Sequence, residues 1–183
     1  HARKLTGPNT RQRLPLTTLE TTMHPNAALL ERFYTAFAKG DAEAMAACYA
    51  EDIHFSDPVF PDLKRGDAGD MWRMLCEGAT DLEIVGSGYE ADDTSGKAHW
   101  VATYSFSQTG RKVVNRIDAA FTFSDGLIVR HVDTFDLFKW TRMALGLPGI
   151  FLGWTPLLQN KVRGMAGKSL KKWQRDRDAA QAN

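Results

Sequence analysis

The sequence predicts an α+β fold in which three helices come first and then pack on a curved antiparallel sheet. Two periodicities carry this prediction: apolar residues recur at helical spacing between residues 26 and 77, and at alternate positions between residues 82 and 136. The turns between the later segments are of the kind that join consecutive hairpins. Helices followed by an antiparallel meander form an α+β fold, because the helices must cover one face of the sheet.

The bulk composition agrees with one domain that can bury a core, since the chain has 183 residues of which 43% are hydrophobic. Its 23 basic and 22 acidic residues give a net charge of +1, so no overall field favours a nucleic-acid partner. Cys48 and Cys76 lack metal-ligand spacing, which favours buried thiols in a reducing compartment, and we expect no metal and a cytoplasmic location. No secretory signal or membrane span is predicted.

We divide the chain into three parts. Residues 1–22 contain no aromatic residue and no clear period, and we expect a flexible or vector-derived arm. Residues 23–138 are predicted to form the domain, and residues 139–183 a helical extension.

The first helix is predicted from an apolar stripe that ends at Lys39-Gly40. The stripe consists of Leu29, Leu30, Phe33, Tyr34 and Phe37. Asp41 is the expected N-cap of a second, shorter helix that includes Tyr49 and ends near Asp52. A short strand then leads to Asp57, and residues 67–77 form the third predicted helix.

Four strand-like segments follow, at residues 82–90, 97–108, 112–124 and 127–136. Alternation puts Arg116, Asp118 and Ala120 on one face of the third segment, and His131, Asp133 and Phe135 on one face of the fourth. A carboxylate buried on such a face is costly unless it is paired. These aspartates are therefore either structural partners of Arg116 and His131 or functional groups, and periodicity leaves both possibilities open.

Several motifs resemble those of the ketosteroid isomerases. They are Gly40-Asp41, Asp57-Pro58-Val59, Gly66, Gly110-Arg111-Lys112 and Arg116-Ile117-Asp118. The resemblance covers about residues 26–138 and extends to the wider nuclear transport factor 2-like superfamily, which includes SnoaL-like polyketide cyclases and limonene epoxide hydrolases. It implies a cone-shaped, cystatin-like fold with a deep pocket.

The resemblance implies roles for individual residues. Asp57 falls on the isomerase's catalytic base, and Asp118 on the carboxylic acid that donates a hydrogen bond to the substrate oxyanion. The tyrosine that completes the isomerase oxyanion hole corresponds to Phe33, with Tyr34 one position along the helix. Arg116 stands where the isomerase has an apolar residue.

The last strand resembles that of limonene epoxide hydrolases, in which an aspartate matching Asp133 is a catalytic acid/base. The accompanying Arg and second Asp of the hydrolase fall on Val101 and Thr103, so the full triad is absent. His131 shares the face of Asp133 and would suit proton transfer, although a structural His–Asp pair is the alternative. No histidine has the spacing of a metal ligand.

We expect an apolar ligand to bind among largely aromatic side chains. The predicted pocket residues are Phe33, Tyr34, Trp72, Trp100, Tyr104, Arg116, Ala120 and Phe135. The expected function is cofactor-free acid/base chemistry on a small apolar carbonyl or epoxide, by an isomerase, cyclase or epoxide hydrolase. The alternative is a non-catalytic small-molecule-binding or protein-interaction module, because fold does not fix function.

The extension resembles that of other bacterial SnoaL-like proteins. Its apolar residues 147–158 are predicted to pack against the domain or against a second subunit of a homodimer, with contact to a membrane surface as the alternative. Residues 161–178 are predicted to form a basic helix, which we expect to be a solvated face, with contact to an anionic membrane surface as the alternative.

Overall fold

The computed structural model describes residues 23–78 and 80–182, so the predicted arm at residues 1–22 lies outside the described residues. The helices are α1 (Pro25–Ala38), α2 (Ala42–Ala46), α3 (Gly66–Gly78), α4 (Leu137–Leu145), α5 (Leu147–Leu152) and α6 (Pro156–Gln181). The strands are β1 (Tyr49–Ser56), β2 (Leu63–Lys64), β3 (Glu83–Ala91), β4 (Ser95–Phe106), β5 (Arg111–Ser124) and β6 (Leu127–Thr134). The predicted α+β architecture is confirmed.

One curved, unclosed sheet holds the strands in the order β2-β1-β6-β5-β4-β3. Strands β3 to β6 form the predicted antiparallel meander, while β1 pairs in parallel with β6. The turn between β5 and β6 has positive φ at Asp125 and at Gly126 (52° and 74°), which matches the twist of a two-residue hairpin.

The second helix is shorter than predicted. Asp41 caps it as expected, because its Oδ1 accepts the backbone N–H of Ala44 at 2.9 Å. The prediction that Tyr49 belongs to this helix is wrong, since Tyr49 begins β1 and its buried hydroxyl group bonds to His131 on β6. Tertiary pairing therefore overrides the local helical pattern.

A β-bulge changes which residues of β6 face the core. Thr122 on β5 pairs with Arg130 and Phe123 pairs with Ile128, so Val129 is an extra residue on β6. Ile128 and His131 are consequently both buried, although strict alternation would put them on opposite faces.

The extension begins with two tightly packed helices. Helix α4 ends at Leu145 and is followed by Gly146, whose φ is +66°, and α5 starts directly after that glycine. A Cβ atom on Gly149 would lie 1.9 Å from the carbonyl oxygen of Thr141. Only glycine permits this contact between α5 and α4.

The long helix α6 begins before the predicted residue 161 and packs across α3. Leu170 is buried between them, and the amide group of Gln174 bonds to Oδ2 of Asp70 at 2.9 Å. The guanidinium group of Arg177 also bonds to Asp70, and the indole N–H of Trp173 donates to Glu77 at 2.6 Å. None of the helices within the described ranges combines the length and apolar character needed to cross a membrane.

Candidate active site

A cavity of about 690 Å³ lies between the concave face of the sheet, α3 and the extension. Three carboxylates line it, the exposed Asp81 and the less exposed Asp57 and Asp133, among largely apolar walls that include Trp72 and Trp100. The volume and the apolar lining suit a small organic ligand.

Asp57 is held by the turn that follows β1. Its Oδ1 accepts the backbone N–H groups of Val59 at 2.6 Å and of Phe60 at 2.5 Å, and its own N–H donates to the carbonyl of Phe60 at 2.9 Å. Helix α6 supports the same turn, because Nε of Arg163 donates to the carbonyl oxygen of Pro58 at 2.9 Å. The extension thus helps to fix the position of Asp57.

Burial raises the pKa of Asp57 to about 7. The backbone N–H of Phe60 acts in the opposite direction, and the negative charge of Asp133 adds to the increase. A carboxyl group with a pKa near 7 can both accept and return a proton at neutral pH.

Asp133 is the end of a buried chain of hydrogen bonds. The indole N–H of Trp72 donates to the hydroxyl oxygen of Tyr49 at 2.9 Å, and that hydroxyl lies 2.7 Å from Nδ1 of His131. Nε2 of His131 lies 3.0 Å from Oδ1 of Asp133, which also accepts the indole N–H of Trp100 at 3.1 Å. The predicted proximity of His131 and Asp133 is confirmed.

The direction of each hydrogen bond in this series follows from which groups can donate. An indole can only donate, so Tyr49 accepts from Trp72 and has its own hydroxyl hydrogen left to donate to Nδ1 of His131. Burial raises the pKa of Tyr49 well above its ordinary value, which keeps that hydrogen in place. This arrangement assigns the Nε2–H tautomer to His131, which then donates to Asp133.

Tyr104 is a third polar group on the cavity wall. Its hydroxyl oxygen accepts the indole N–H of Trp140 on α4 at 2.8 Å and retains its own hydrogen. Burial raises the pKa of Tyr104, and the negative charge of Asp57 raises it further. The hydroxyl group is therefore a hydrogen-bond donor at neutral pH, close enough to Asp57 to sense its charge.

The prediction that Asp118 lies in the pocket with Asp57 and Asp133 is wrong. Its side chain is 83% exposed on the outer face of the sheet, where Oδ1 lies 2.8 Å from Nδ1 of His99. Arg116 and Ala120 share that exposed face, so their predicted places in the pocket are also wrong. A one-residue slip in register moves every side chain of a strand to the opposite face, and the resemblance had aligned Asp118 one residue out of phase with the cavity.

The predicted aromatic residues divide into two groups. Trp72, Trp100, Tyr104 and Phe135 line the cavity as predicted. Phe33 and Tyr34 do not: both are buried in the core behind it, where Phe33 packs against the rings of Trp72 and His131. The prediction that these two line the pocket is wrong, because α1 presents them to the sheet rather than to the cavity.

Asn115 and Trp140 also line the cavity, although the sequence did not predict them there. Asn115 could have been found, because it alternates with Val113, Ile117 and Ala119, the more apolar face of its strand. Trp140 carried no comparable signal, since its place depends on how α4 folds back onto the sheet. Within the described residues, no group of three His, Cys, Asp or Glu side chains could hold a metal ion.

A curved sheet covered by helices that enclose an apolar pocket with acidic groups defines a nuclear transport factor 2-like protein. Residues 30–131 match the model of the SnoaL-like domain, and the chain belongs to that family. A search of curated protein sequences finds no match.

Solved structures share the fold. A protein assigned as a polyketide cyclase from Xanthomonas campestris is 23% identical with a TM-score of 0.53, over 65% of this chain and 96% of that chain. An LEH-like epoxide hydrolase from M. tuberculosis is 18% identical with a TM-score of 0.55, over 73% and 95%. A protein assigned as a ketosteroid isomerase from Kribbella flavida is 19% identical with a TM-score of 0.50, over 61% and 78%. At these identities the likeness concerns the fold.

Proposed function

We propose that the protein is an enzyme that transfers a proton within a small apolar carbonyl ligand, with Asp57 as the base and no cofactor. The observation that carries this proposal is the presence of Asp57 and Asp133 in the wall of one apolar cavity, where burial and the charge of Asp133 raise the pKa of Asp57 to about 7. General acid/base catalysis works best when the pKa of the catalytic group lies near the working pH.

The two oxygens of Asp57 have different environments. Oδ1 accepts both backbone N–H groups, which leaves Oδ2 to take a proton from the carbon atom beside the ligand's carbonyl. The electron pair left by that proton moves into the carbonyl group, so its oxygen becomes an enolate oxygen. Asp57 then returns the proton to another atom of the ligand, and no net charge is gained or lost.

Tyr104 is the proposed donor to the enolate oxygen. It replaces the donor that the sequence assigned to Asp118, because Tyr104 is in the cavity and keeps its hydroxyl hydrogen while accepting from Trp140. A hydrogen bond that strengthens as negative charge develops on the oxygen lowers the barrier. His131 is a positioning residue in this scheme, because its contact is with Asp133 and not with the cavity.

Turnover of a panel of apolar ketones and epoxides tests the proposal. Asp57→Asn should lower kcat by about 10²-fold to 10⁴-fold, because the general base is lost. Tyr104→Phe should lower kcat with a smaller effect on KM, since its hydrogen bond serves the transition state. Asp118→Asn is the matched control, because it makes the same chemical change on the outer face, and it should keep full activity.

Three outcomes would contradict parts of this proposal. Normal turnover by the Asp57→Asn variant would remove the base assignment. Ligands that bind in the cavity without being converted by the wild type would favour a non-catalytic binding protein, in which Asp133 and His131 form a structural pair. Conversion of epoxides but not of ketones would move the reaction class towards hydrolysis.

A further inference from the structure

Large apolar side chains are exposed at one corner of the extension. This apolar corner comprises Leu147, Ile150, Phe151, Leu152, Trp154 and Leu157. Three of them, Phe151, Trp154 and Leu157, are 68%, 66% and 82% exposed. These side chains do not pack against the domain, so the first of the two predicted contacts is wrong for them and the contact with a second subunit stays a prediction. An apolar cluster of this kind indicates a contact surface, whereas single exposed residues such as Val85 are ordinary.

The outward direction of these side chains is fixed by the fold. Gly149 and Gly153 bring α5 against α4 so closely that a Cβ atom on Gly153 would lie 2.1 Å from Oγ1 of Thr141. The glycine face of α5 is thus turned inward, and the large residues between the glycines point away from the protein. At the next turn, the indole N–H of Trp154 donates to the carbonyl oxygen of Phe151 at 3.2 Å.

Cationic residues bracket the apolar corner. No charged residue occurs between Arg142 and Lys161, and both of these are exposed. The guanidinium carbon of Arg111 also lies beside Gly146, 3.2 Å from where a Cβ atom would stand. Residues 137–183 carry nine basic and two acidic side chains, whereas residues 23–136 carry ten basic and nineteen acidic ones. The extension is therefore basic where the domain is acidic, and Arg142 and Lys161 are the basic residues that flank the apolar corner in the chain.

The apolar corner is continuous with the wall of the cavity. Leu145, Pro148 and Leu158 line the cavity, and they alternate along the chain with members of the apolar corner such as Leu147 and Leu157. One short segment thus has one side in the cavity wall and the other at the molecular surface.

We propose that the apolar corner inserts into the surface of an anionic lipid bilayer, which the bracketing cations attract. Exposed Phe, Trp and Leu side chains beside Lys and Arg form the composition that binds the interfacial region of anionic membranes. The contact is shallow, because the helices in the described part of the chain are too short or too polar to cross a bilayer. A ligand dissolved in the bilayer would then reach the cavity beside Leu145 and Pro148 without crossing water.

Binding to vesicles tests the membrane contact without any turnover, so its result is independent of the proposed reaction. The full chain is sedimented with vesicles of equal parts phosphatidylcholine and phosphatidylglycerol, and with vesicles of phosphatidylcholine alone. We expect binding to the anionic vesicles that weakens as salt is added, because screening reduces the attraction of the cations. The double substitution of Phe151→Ser and Trp154→Ser should reduce binding at least about tenfold, since it removes two apolar anchors.

Val85→Ser is the matched control, because Val85 is an equally exposed apolar residue (65%) on β3, outside the apolar corner. It should bind vesicles as the wild type does. Circular dichroism of each variant separates loss of binding from loss of folding. As a second measurement, brominated lipids should quench part of the tryptophan fluorescence of the wild type, and Trp154→Phe should abolish that part while keeping an aromatic anchor and most of the binding.

Several results would overturn the proposal. They are an absence of wild-type binding to anionic vesicles, equal binding to neutral vesicles, and undiminished binding by the double variant. A wild-type dimer that becomes monomeric in the double variant, together with no vesicle binding, would instead identify the apolar corner as the contact with a second copy of the chain.

Discussion

Asp57 and Asp118 differ in what surrounds them rather than in their chemistry. Asp57 lies in the partly buried turn that follows β1, and its pKa of about 7 results mainly from the loss of water, with the charge of Asp133 adding to it. Asp118 lies on the outer face of β5 beside His99 with most of its side chain in solvent. Because desolvation is what penalises the charged form, only the buried carboxyl group becomes a base suited to neutral pH.

The raised pKa of Asp57 makes a prediction about stability. The carboxyl group of an aspartate in an unfolded chain has a pKa of about 3.9. Between about pH 4 and pH 7, Asp57 therefore carries a proton in the folded protein that it lacks in the unfolded chain. The free energy of unfolding consequently falls as the pH rises through that window. Asp57→Asn keeps an oxygen for the two backbone N–H groups and cannot ionise. We expect the free energy of unfolding of this variant, relative to that of the wild type, to increase by up to roughly 4 kcal/mol as the pH rises from 4 to 8.

Urea denaturation of both proteins across this pH range measures the difference directly. Using the difference cancels the titration of every other group that the two proteins share. A difference that stays constant with pH would contradict the raised pKa of Asp57.

At the scale of elements, short contacts at glycine residues orient the extension. Helix α5 packs closely on α4 because Gly149 and Gly153 have no side chain at the contact. The β4–β5 turn holds the end of α4, since the hydroxyl group of Thr109 donates to the carbonyl oxygen of Ala144 at 2.6 Å. Helix α4 in turn presents Trp140 to Tyr104. The packing of these two helices thus reaches the proposed oxyanion donor.

Substitution of glycine by alanine should have opposite effects in α5 and in α6. Gly149→Ala would put a Cβ atom against the backbone of Thr141, and we expect it to lower the free energy of unfolding by about 1–3 kcal/mol through overpacking. Gly164→Ala is the matched control in α6, where nothing lies within 4 Å of the added atom. It should raise stability by about 0.5–1 kcal/mol, because alanine favours a helix interior. Chemical denaturation measures both, and equal effects would argue against close packing at Gly149.

At the scale of the whole molecule, opposite charges join the extension to the domain. The acidic part of the chain, residues 23–136, offers Asp70 on α3, which is largely buried and bonds to Arg177 and Gln174 on α6. Helix α6 also reaches the turn of Asp57 through Arg163, and its residues Val162 and Met165 line the cavity. The helix therefore completes a cavity that the domain alone would leave more open.

Loss of Asp70 should loosen α6. Asp70→Ala removes the acceptor of Arg177 and Gln174, and we expect faster backbone hydrogen exchange along residues 163–178 together with a loss of about 1–3 kcal/mol in stability. Asp176→Ala is the matched control, because Asp176 pairs with Lys172 on α6 itself and is exposed. Exchange that increases equally in both variants would show that Asp70 does not hold α6 to the domain.

Local pattern determined the elements of this fold and much of its site. Helical and alternating periods predicted α1, α3 and the strands of the meander. Residue type alone predicted the N-cap at Asp41 and the hairpin turn at Asp125-Gly126. The same alternation put His131 beside Asp133 and Asp57 at the end of a strand, and the resemblance gave Asp57 the role of a base. These features depend on near neighbours in the chain, so a single sequence contains them.

Only the tertiary structure decided which faces meet. Alternation divides β5 into two faces, and the resemblance assigned the wrong one to the cavity, so Asp118 was predicted there and Asn115 was not. The bulge at Val129, the outward turn of Phe151 and Trp154, and the contact of Trp140 with Tyr104 likewise depend on partners distant in sequence. Burial of Asp57, and with it the pKa suited to catalysis, arises from the same long-range packing, because desolvation is a property of the assembled cavity and not of the residue.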